Sequence, residues 1–189
     1  HKILPTHNRI IKLLKLPRLL KIVTVNDFKQ KNKLNVTYST SLRLRDMSYD
    51  FYKNHVKNEL SSQKYSGNII IDYPHNLNWK GHYDGIHFSS SNLQYFNLNK
   101  TKSSIIHSAS CHTLTDVELC NAKLFDFVLV SPVLHSHSKY PTLNWSGYSK
   151  LSKHSFAPTY ALGGLSSVTE DYEQCIKNNG FGIAGISKI

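Results

Sequence analysis

From residue 21 onward, short apolar and β-branched runs recur along the chain, each separated from the next by a polar helical or loop segment. Such alternation is what parallel strands joined by crossovers leave in a sequence. It predicts strands over residues 21–25, 38–45, 68–72, 85–87, 104–110, 127–131, 159–161 and 182–186. Ile69-Ile70-Ile71-Asp72 and Phe127-Val128-Leu129-Val130 are continuous runs where a half-exposed strand would alternate, so both of their faces must be covered. Eight such strands under helices specify the α/β class and, within it, a (β/α)8 TIM barrel.

Helices are predicted over residues 48–62, 113–122 and 169–178. Thr113 or Thr115 can cap ahead of Asp116 and Glu118, and Thr169 precedes Glu170, Asp171 and Glu173, acidic residues that suit a helix start. Gly180 supplies a stop. The crossovers at 76–80 and 93–100 are too short for full helices, and the chain ends three residues after the eighth strand, so the barrel is expected to be slightly truncated at its last helix. At the other end, residues 8–16 place Ile10, Ile11, Leu13 and Leu14 on one side and Arg9, Lys12 and Lys15 on the other. This predicts an N-terminal covering helix over the exposed groove, with a membrane-surface helix as the rival; Pro5 and Pro17 keep it short. Residues 1–20 then form connector and covering helix, and 21–189 the barrel.

A chain of 189 residues with 40% hydrophobic content supports one core. No apolar run approaches bilayer-spanning length, which argues against a membrane-spanning segment and reads as a soluble chain. Cys111, Cys120 and Cys175 are odd in number and widely spaced, which excludes a disulfide framework and a zinc knuckle and points to a cytoplasmic location. The formal charge of +11 raises nucleic-acid binding as an alternative. Against it, the lysines are scattered, with a loose cluster from Lys12 to Lys33, and no RNA-binding motif is present. The chain opens on His1, which suggests a fragment or a processed piece of a longer protein.

The chemistry concentrates late in the chain. Tyr160-Ala161-Leu162-Gly163-Gly164-Leu165 and Gly182-Ile183-Ala184-Gly185-Ile186-Ser187 each run from a strand into a turn of small residues. After strands seven and eight of a barrel, such turns commonly bind phosphate through backbone N–H groups, whereas either alone reads as a tight turn.

Ala161-Leu162-Gly163-Gly164 with Gly182-Ile183-Ala184 resembles the end of the thiamine-phosphate synthase/thiazole tautomerase family. Leu42-Arg43-Leu44-Arg45-Asp46, Asp84-Gly85-Ile86-His87, Ser110-Cys111-His112-Thr113 and Ser131-Pro132-Val133 are similar to that family's motifs on strands two, four, five and six. A narrower resemblance joins Leu4-Pro5-Thr6-His7-Asn8-Arg9 and Pro141-Thr142-Leu143-Asn144-Trp145 to barrels carried behind bacterial Nudix hydrolases, which implies a Nudix hydrolase domain upstream.

The family resemblance implies a transferase joining a pyrimidine carried on pyrophosphate to a thiazole phosphate, with phosphorylated small molecules as substrates and Mg2+ as cofactor. Carried over by position, it implies Arg45, Ser110 and Lys139 as catalytic residues, and Arg43, Asp72, His87, Ser136, Ser138, Gly163, Gly164, Gly185, Ile186 and Ser187 as substrate-binding residues. The magnesium side is altered: the two metal-linked aspartates fall on Tyr73 and Asn92, the strand-two glutamine on Arg43 and the strand-two lysine on Met47. A phenol and an amide in place of two carboxylates weaken a magnesium site, with Asp72 as the remaining candidate ligand. The tautomerases' strand-six histidine falls on Pro132; His135 and His137 lie just beyond it, as proton shuttles or as exposed loop histidines. With His107 and His112 they form a histidine-rich surface rather than a metal set. His87 reads as a hydrogen-bonded core histidine or a catalytic one, Trp79 and Trp145 as packing residues with Trp145 also placed to wall a pocket, and Phe125-Asp126 as a turn and nothing more. Two functions stand side by side: a thiamine-phosphate synthase-like enzyme, or a non-catalytic phosphate-ligand-binding domain accessory to a Nudix hydrolase.

Overall fold

The computed structural model describes residues 16–31, 34, 36, 40–97, 104–135 and 139–185. Within them, eight strands pair parallel in chain order and close into a barrel. They are β1 (Leu19–Val23), β2 (Thr40–Leu44), β3 (Ile69–Asp72), β4 (Gly85–Phe88), β5 (Ile106–Cys111), β6 (Phe127–Val130), β7 (Thr159–Leu162) and β8 (Gly182–Gly185), with β1 closing on β8 through Leu20↔Ala184. The (β/α)8 expectation is met; of the two runs expected to be covered on both faces, β6 is buried throughout and β3 from Ile70 onward, with Ile69 half-buried.

Parallel register places partners side by side on one face, and Leu20↔Ala184, Ile22↔Arg43, Asp72↔His87 and Ser110↔Leu129 therefore share the inside of the barrel. Leu16, Leu20, Ile22, Ile70, Ile106, Phe127, Leu129, Tyr160 and Ala184 fill the lumen as one apolar cluster. The opposite faces of the strands build two further clusters under the helices. Trp79 is fully buried in one, donating its indole N–H to the Met47 carbonyl at 3.2 Å; Trp145 packs against the other, edge-on to Tyr148. Both are packing residues.

Among the described residues five helices link the strands: α1 (Val25–Lys31), α2 (Tyr49–Ser62, with a π-helical turn at Tyr52–Val56), α3 (Leu114–Lys123), α4 (Asn144–His154) and α5 (Val168–Lys177). Among the described residues, the crossovers after β3 and β4 carry the 3-10 segments His75–Asn78 and Ser90–Tyr95 and no α-helix, as their shortness predicts. The α3 start is a full capping box between Thr113 and Asp116. At α5 the cap is Ser167, not Thr169: its hydroxyl accepts from the Glu170 amide, so the helix begins one residue earlier than expected. The helices α1 and α4 were not anticipated from the pattern. The first is set by a reciprocal pair in which the Asp27 amide donates to Thr24 Oγ1 at 3.1 Å and the Thr24 amide donates to Asp27 Oδ2 at 3.1 Å. In the second, Gly147, three serines and an asparagine dilute the apolar stripe of Tyr148 and Leu151.

Phe125 and Asp126 do more than turn the chain. Phe125 is fully buried against Phe88 and Phe96, and the Asp126 carboxylate accepts from the His107 amide at 2.8 Å. Asp84 repeats the device at the start of β4, accepting from the Ile69 amide at 2.8 Å. Each aspartate ties an amide at the start of the preceding strand, the first of β3 and the second of β5, which satisfies a backbone donor near that end of the ladder. The predicted covering helix at 8–16 lies outside the described residues except for Leu16, which is buried at the N-terminal end of the lumen and followed by Pro17, whose carbonyl accepts from Tyr160 Oη at 2.5 Å.

Candidate active site

At the C-terminal ends of the strands the lumen turns from apolar to polar. Arg43 on β2 and Asp72 on β3 form a two-pronged ion pair, Nε to Oδ1 at 2.8 Å and Nη2 to Oδ2 at 3.2 Å, with side chains only 10% and 8% exposed. The turn after β2 adds a third contact: Asp46, at φ 51°, donates its amide to Asp72 Oδ2 at 3.1 Å. Arg45 stands at the rim, half exposed, with Nε 3.5 Å from Asp46 Oδ2.

His87 on β4 is enclosed in the lumen between two serines of β5: Nδ1 lies 2.9 Å from Ser108 Oγ and Nε2 lies 2.8 Å from Ser110 Oγ. Burial, reinforced by the positive charges of Arg43 and Arg45, lowers its pKa well below the ordinary histidine value, so the ring is neutral at pH 7. Next along the rim, His112 places Nδ1 2.7 Å from the Ser131 carbonyl. A carbonyl can only accept, so Nδ1 carries a proton. Tyr140 stacks on His112 at 3.8 Å between centroids and reaches Ser90 Oγ at 3.2 Å, linking the loops after β4, β5 and β6.

The turn after β7 is built by Gly163 at φ 105° and Gly164 at φ 73°. A Cβ on Gly163 would meet Pro132 Cα at 2.9 Å, and one on Gly164 would meet the His135 amide nitrogen at 2.3 Å. Both glycines thus serve close packing of this turn against the β6 loop, where the Leu134 amide donates to the Gly163 carbonyl at 2.9 Å. Just ahead of α5, the amides of Ser166 and Ser167 donate to the Asp171 carboxylate at 2.7 and 2.9 Å, so a side chain of this protein already occupies those two donors.

Arg43, Arg45, Asp72, His87, Ser110, Ser131, Gly163 and Gly164 therefore come to one rim from β2 through β7. Gly185 sits buried in β8 opposite Lys21. Lys139 is exposed, its Nζ 5.3 Å from the Tyr140 ring centre. Ser136, His137, Ser138, Ile186 and Ser187 lie outside the described residues. One expectation fails: His107 is 2% exposed, on the outer face of β5 against Phe96 and Asp126, so it contributes to no histidine-rich surface. The sequence reading missed Ser108, although a strand's period of two puts it on the same face as Ser110. It also missed the amides held by Asp171.

The residues do not fit a magnesium ion. Both oxygens of Asp72 are engaged by the Arg43 guanidinium and the Asp46 amide, Tyr73 is stacked on Phe88 and Tyr95, and Asn92 directs its Nδ2 toward the Tyr73 carbonyl at 3.5 Å. Magnesium binding needs carboxylate oxygens that face open space, and a bound guanidinium repels a cation from the one present. Among the described residues no cluster of three or more His, Cys, Asp or Glu side chains is placed to hold a metal ion. No described helix is long and apolar enough to cross a membrane.

The sequence model of the family described as thiamine monophosphate synthase matches residues 34–189. Among curated proteins, the chain is 26% identical over 149 residues, 77% of this chain and 79% of the relative, to "Putative thiamine-phosphate synthase 2" of Aquifex aeolicus (strain VF5). Among solved structures it is similar to the thiamine phosphate pyrophosphorylase from Pyrococcus furiosus, with a TM-score of 0.64 at 16% identity, over 92% of this chain and 88% of the other. It is also similar to (S)-3-O-geranylgeranylglyceryl phosphate synthase from Thermoplasma acidophilum, with a TM-score of 0.58 at 12% identity, over 94% and 88% of the two chains. At those identities the structural likenesses establish the fold alone.

Proposed function

The chain belongs to the thiamine monophosphate synthase family, and from that premise we propose that it is a thiamine-phosphate synthase-like transferase acting on phosphorylated thiazole and pyrimidine compounds. The observation that carries this reading is the ring of polar side chains from neighbouring strands at the mouth: Arg43 with Asp72, His87, Ser110, and Arg45 at the rim. Arg45 pairs with Asp46 across 3.5 Å with both groups exposed. Surface pairs of this kind are worth about 0–1 kcal/mol, so an incoming phosphate oxygen can displace the carboxylate.

In this reading Arg45 and Ser110 contact the oxygens of the departing pyrophosphate, and Arg43, held rigid by Asp72, supplies fixed positive charge behind them. The thiazole phosphate is taken by Gly163 and Gly164 of the turn after β7 and by Gly185, Ile186 and Ser187, with Ser136, Ser138 and Lys139. Magnesium, where bound, would supply neutralisation of the pyrophosphate, but the donor set described above does not fit it. Titration calorimetry with thiazole phosphate and with inorganic pyrophosphate, each with and without magnesium, tests the reading. Both are expected to bind without metal, and Arg45→Met is expected to weaken pyrophosphate about tenfold, the size of a lost charged hydrogen bond. Failure of both to bind would refute it.

A second reading is favoured by one observation, the absence of a carboxylate pair where Tyr73 and Asn92 stand. It makes the barrel a phosphate-ligand-binding domain accessory to a Nudix hydrolase. Binding of thiazole phosphate without turnover to thiamine phosphate would select it.

A further inference from the structure

The proton positions around His87 follow from the satisfaction of one buried hydroxyl. Ser108 is fully buried, and among the described residues its hydroxyl has a single hydrogen-bond partner, His87 Nδ1 at 2.9 Å. A hydroxyl carries one donor and can serve either way, but a buried O–H left without an acceptor is penalised. If Nδ1 held the imidazole proton, it would donate to Ser108 and the Ser108 O–H would point at nothing. If Nε2 holds it, Ser108 donates to the Nδ1 lone pair and every group is used. The penalty for the first arrangement biases the tautomer population toward the second by about tenfold or more.

The consequence appears on the other side of the ring. With the proton on Nε2, His87 donates to Ser110 Oγ across 2.8 Å, and the Ser110 hydroxyl, which is part-exposed at the mouth, is left to donate its own proton outward. With the opposite tautomer Ser110 would spend its proton on the ring and present lone pairs alone, which repel an anion. We propose that Ser108, which lies beneath the mouth and cannot touch a ligand, is a positioning residue: it fixes His87 as the Nε2-protonated tautomer and so commits Ser110 to donating to an anionic oxygen of a bound phosphate or pyrophosphate. This deepens the functional reading above and rests on it for the identity of the acceptor, but not for the tautomer. The neutral state of the ring is supported by its enclosure and by Arg43 and Arg45.

Nitrogen-15 NMR of imidazole-labelled protein reads the tautomer directly, because protonated and unprotonated ring nitrogens resonate far apart, and His87→Gln assigns the signals. In the unliganded wild type at pH 7, Nε2 is expected protonated and Nδ1 unprotonated; in Ser108→Ala the two nitrogens should move toward a mixture. A wild-type ring protonated on Nδ1, or on both nitrogens, would overturn the proposal. Inorganic pyrophosphate is the binding probe. Ser110→Ala should lose about tenfold in affinity, and Ser108→Ala about twofold, since an even mixture halves the competent population. Unchanged affinity in Ser110→Ala would also overturn it. Wild type that shows the expected tautomer but binds no pyrophosphate would sustain the tautomer assignment and refute the functional reading instead.

Discussion

Asp72→Ala separates a structural carboxylate from a metal-binding one. The substitution removes both prongs of the Arg43 pair, at 2.8 and 3.2 Å, and the acceptor of the Asp46 amide at 3.1 Å. Arg43 would remain in the lumen with its side chain 10% exposed and its charge unbalanced. Removing one member of a buried pair costs about 3–5 kcal/mol, and with a urea dependence of roughly 2 kcal/mol/M the midpoint should fall by about 2 M. Replacing both members with apolar residues, Arg43→Met with Asp72→Leu, removes the stranded charge and should recover most of the loss, since such replacements are often near neutral. Urea titrations followed by circular dichroism supply the midpoints. A shift below about 0.5 M for Asp72→Ala, or a double variant less stable than the single one, would refute the account. The same titrations with magnesium should leave the wild-type midpoint unmoved; an increase that Asp72→Ala abolishes would show the carboxylate holding the ion.

Two further outcomes are expected. His87 is neutral when folded, with a pKa well below the 6.5 it takes when unfolded, so below about pH 6.5 the unfolded chain binds a proton that the folded chain refuses. Stability from this group is complete above that pH and is lost as pH falls, by at most about 1.4 kcal/mol per pH unit; urea titrations from pH 7 to 5 should show a shallower slope in His87→Gln, and equal slopes would contradict the burial argument. The thiols of Cys111 and Cys175 are pushed up, the first by its hydrogen bond with Cys120, 3.5 Å away, and by burial, the second by burial. Alkylation of the native protein should therefore be slow and should become fast in urea, as counted by mass spectrometry; rapid native labelling of Cys111 or Cys175 would argue against their enclosure.

The fold was legible because barrel formation writes itself into local pattern. Strands covered on both faces must be apolar throughout, as in Ile69-Ile70-Ile71 and Phe127-Val128-Leu129-Val130, and helix starts need a capping side chain, as Thr113 and Asp116 show. The rim was legible too, since residues ending consecutive parallel strands must arrive at one end, whichever partners they find there. Helix α4 escaped because its stability comes from packing Tyr148 and Leu151 on the barrel and not from its serine-rich composition, and α1 because a seven-residue helix leaves too short a periodic record. What the sequence could not state is which polar groups would meet. Asp72 offers itself as a metal ligand until closure of β2 on β3 brings Arg43, 29 residues away, against both of its oxygens. Ser108 is one serine among many until the β4–β5 register sets it beside His87, 21 residues away, and the proton on that ring then decides what Ser110 can offer. Local chemistry gives each residue its inventory of donors and acceptors; only the three-dimensional register decides which are already spent.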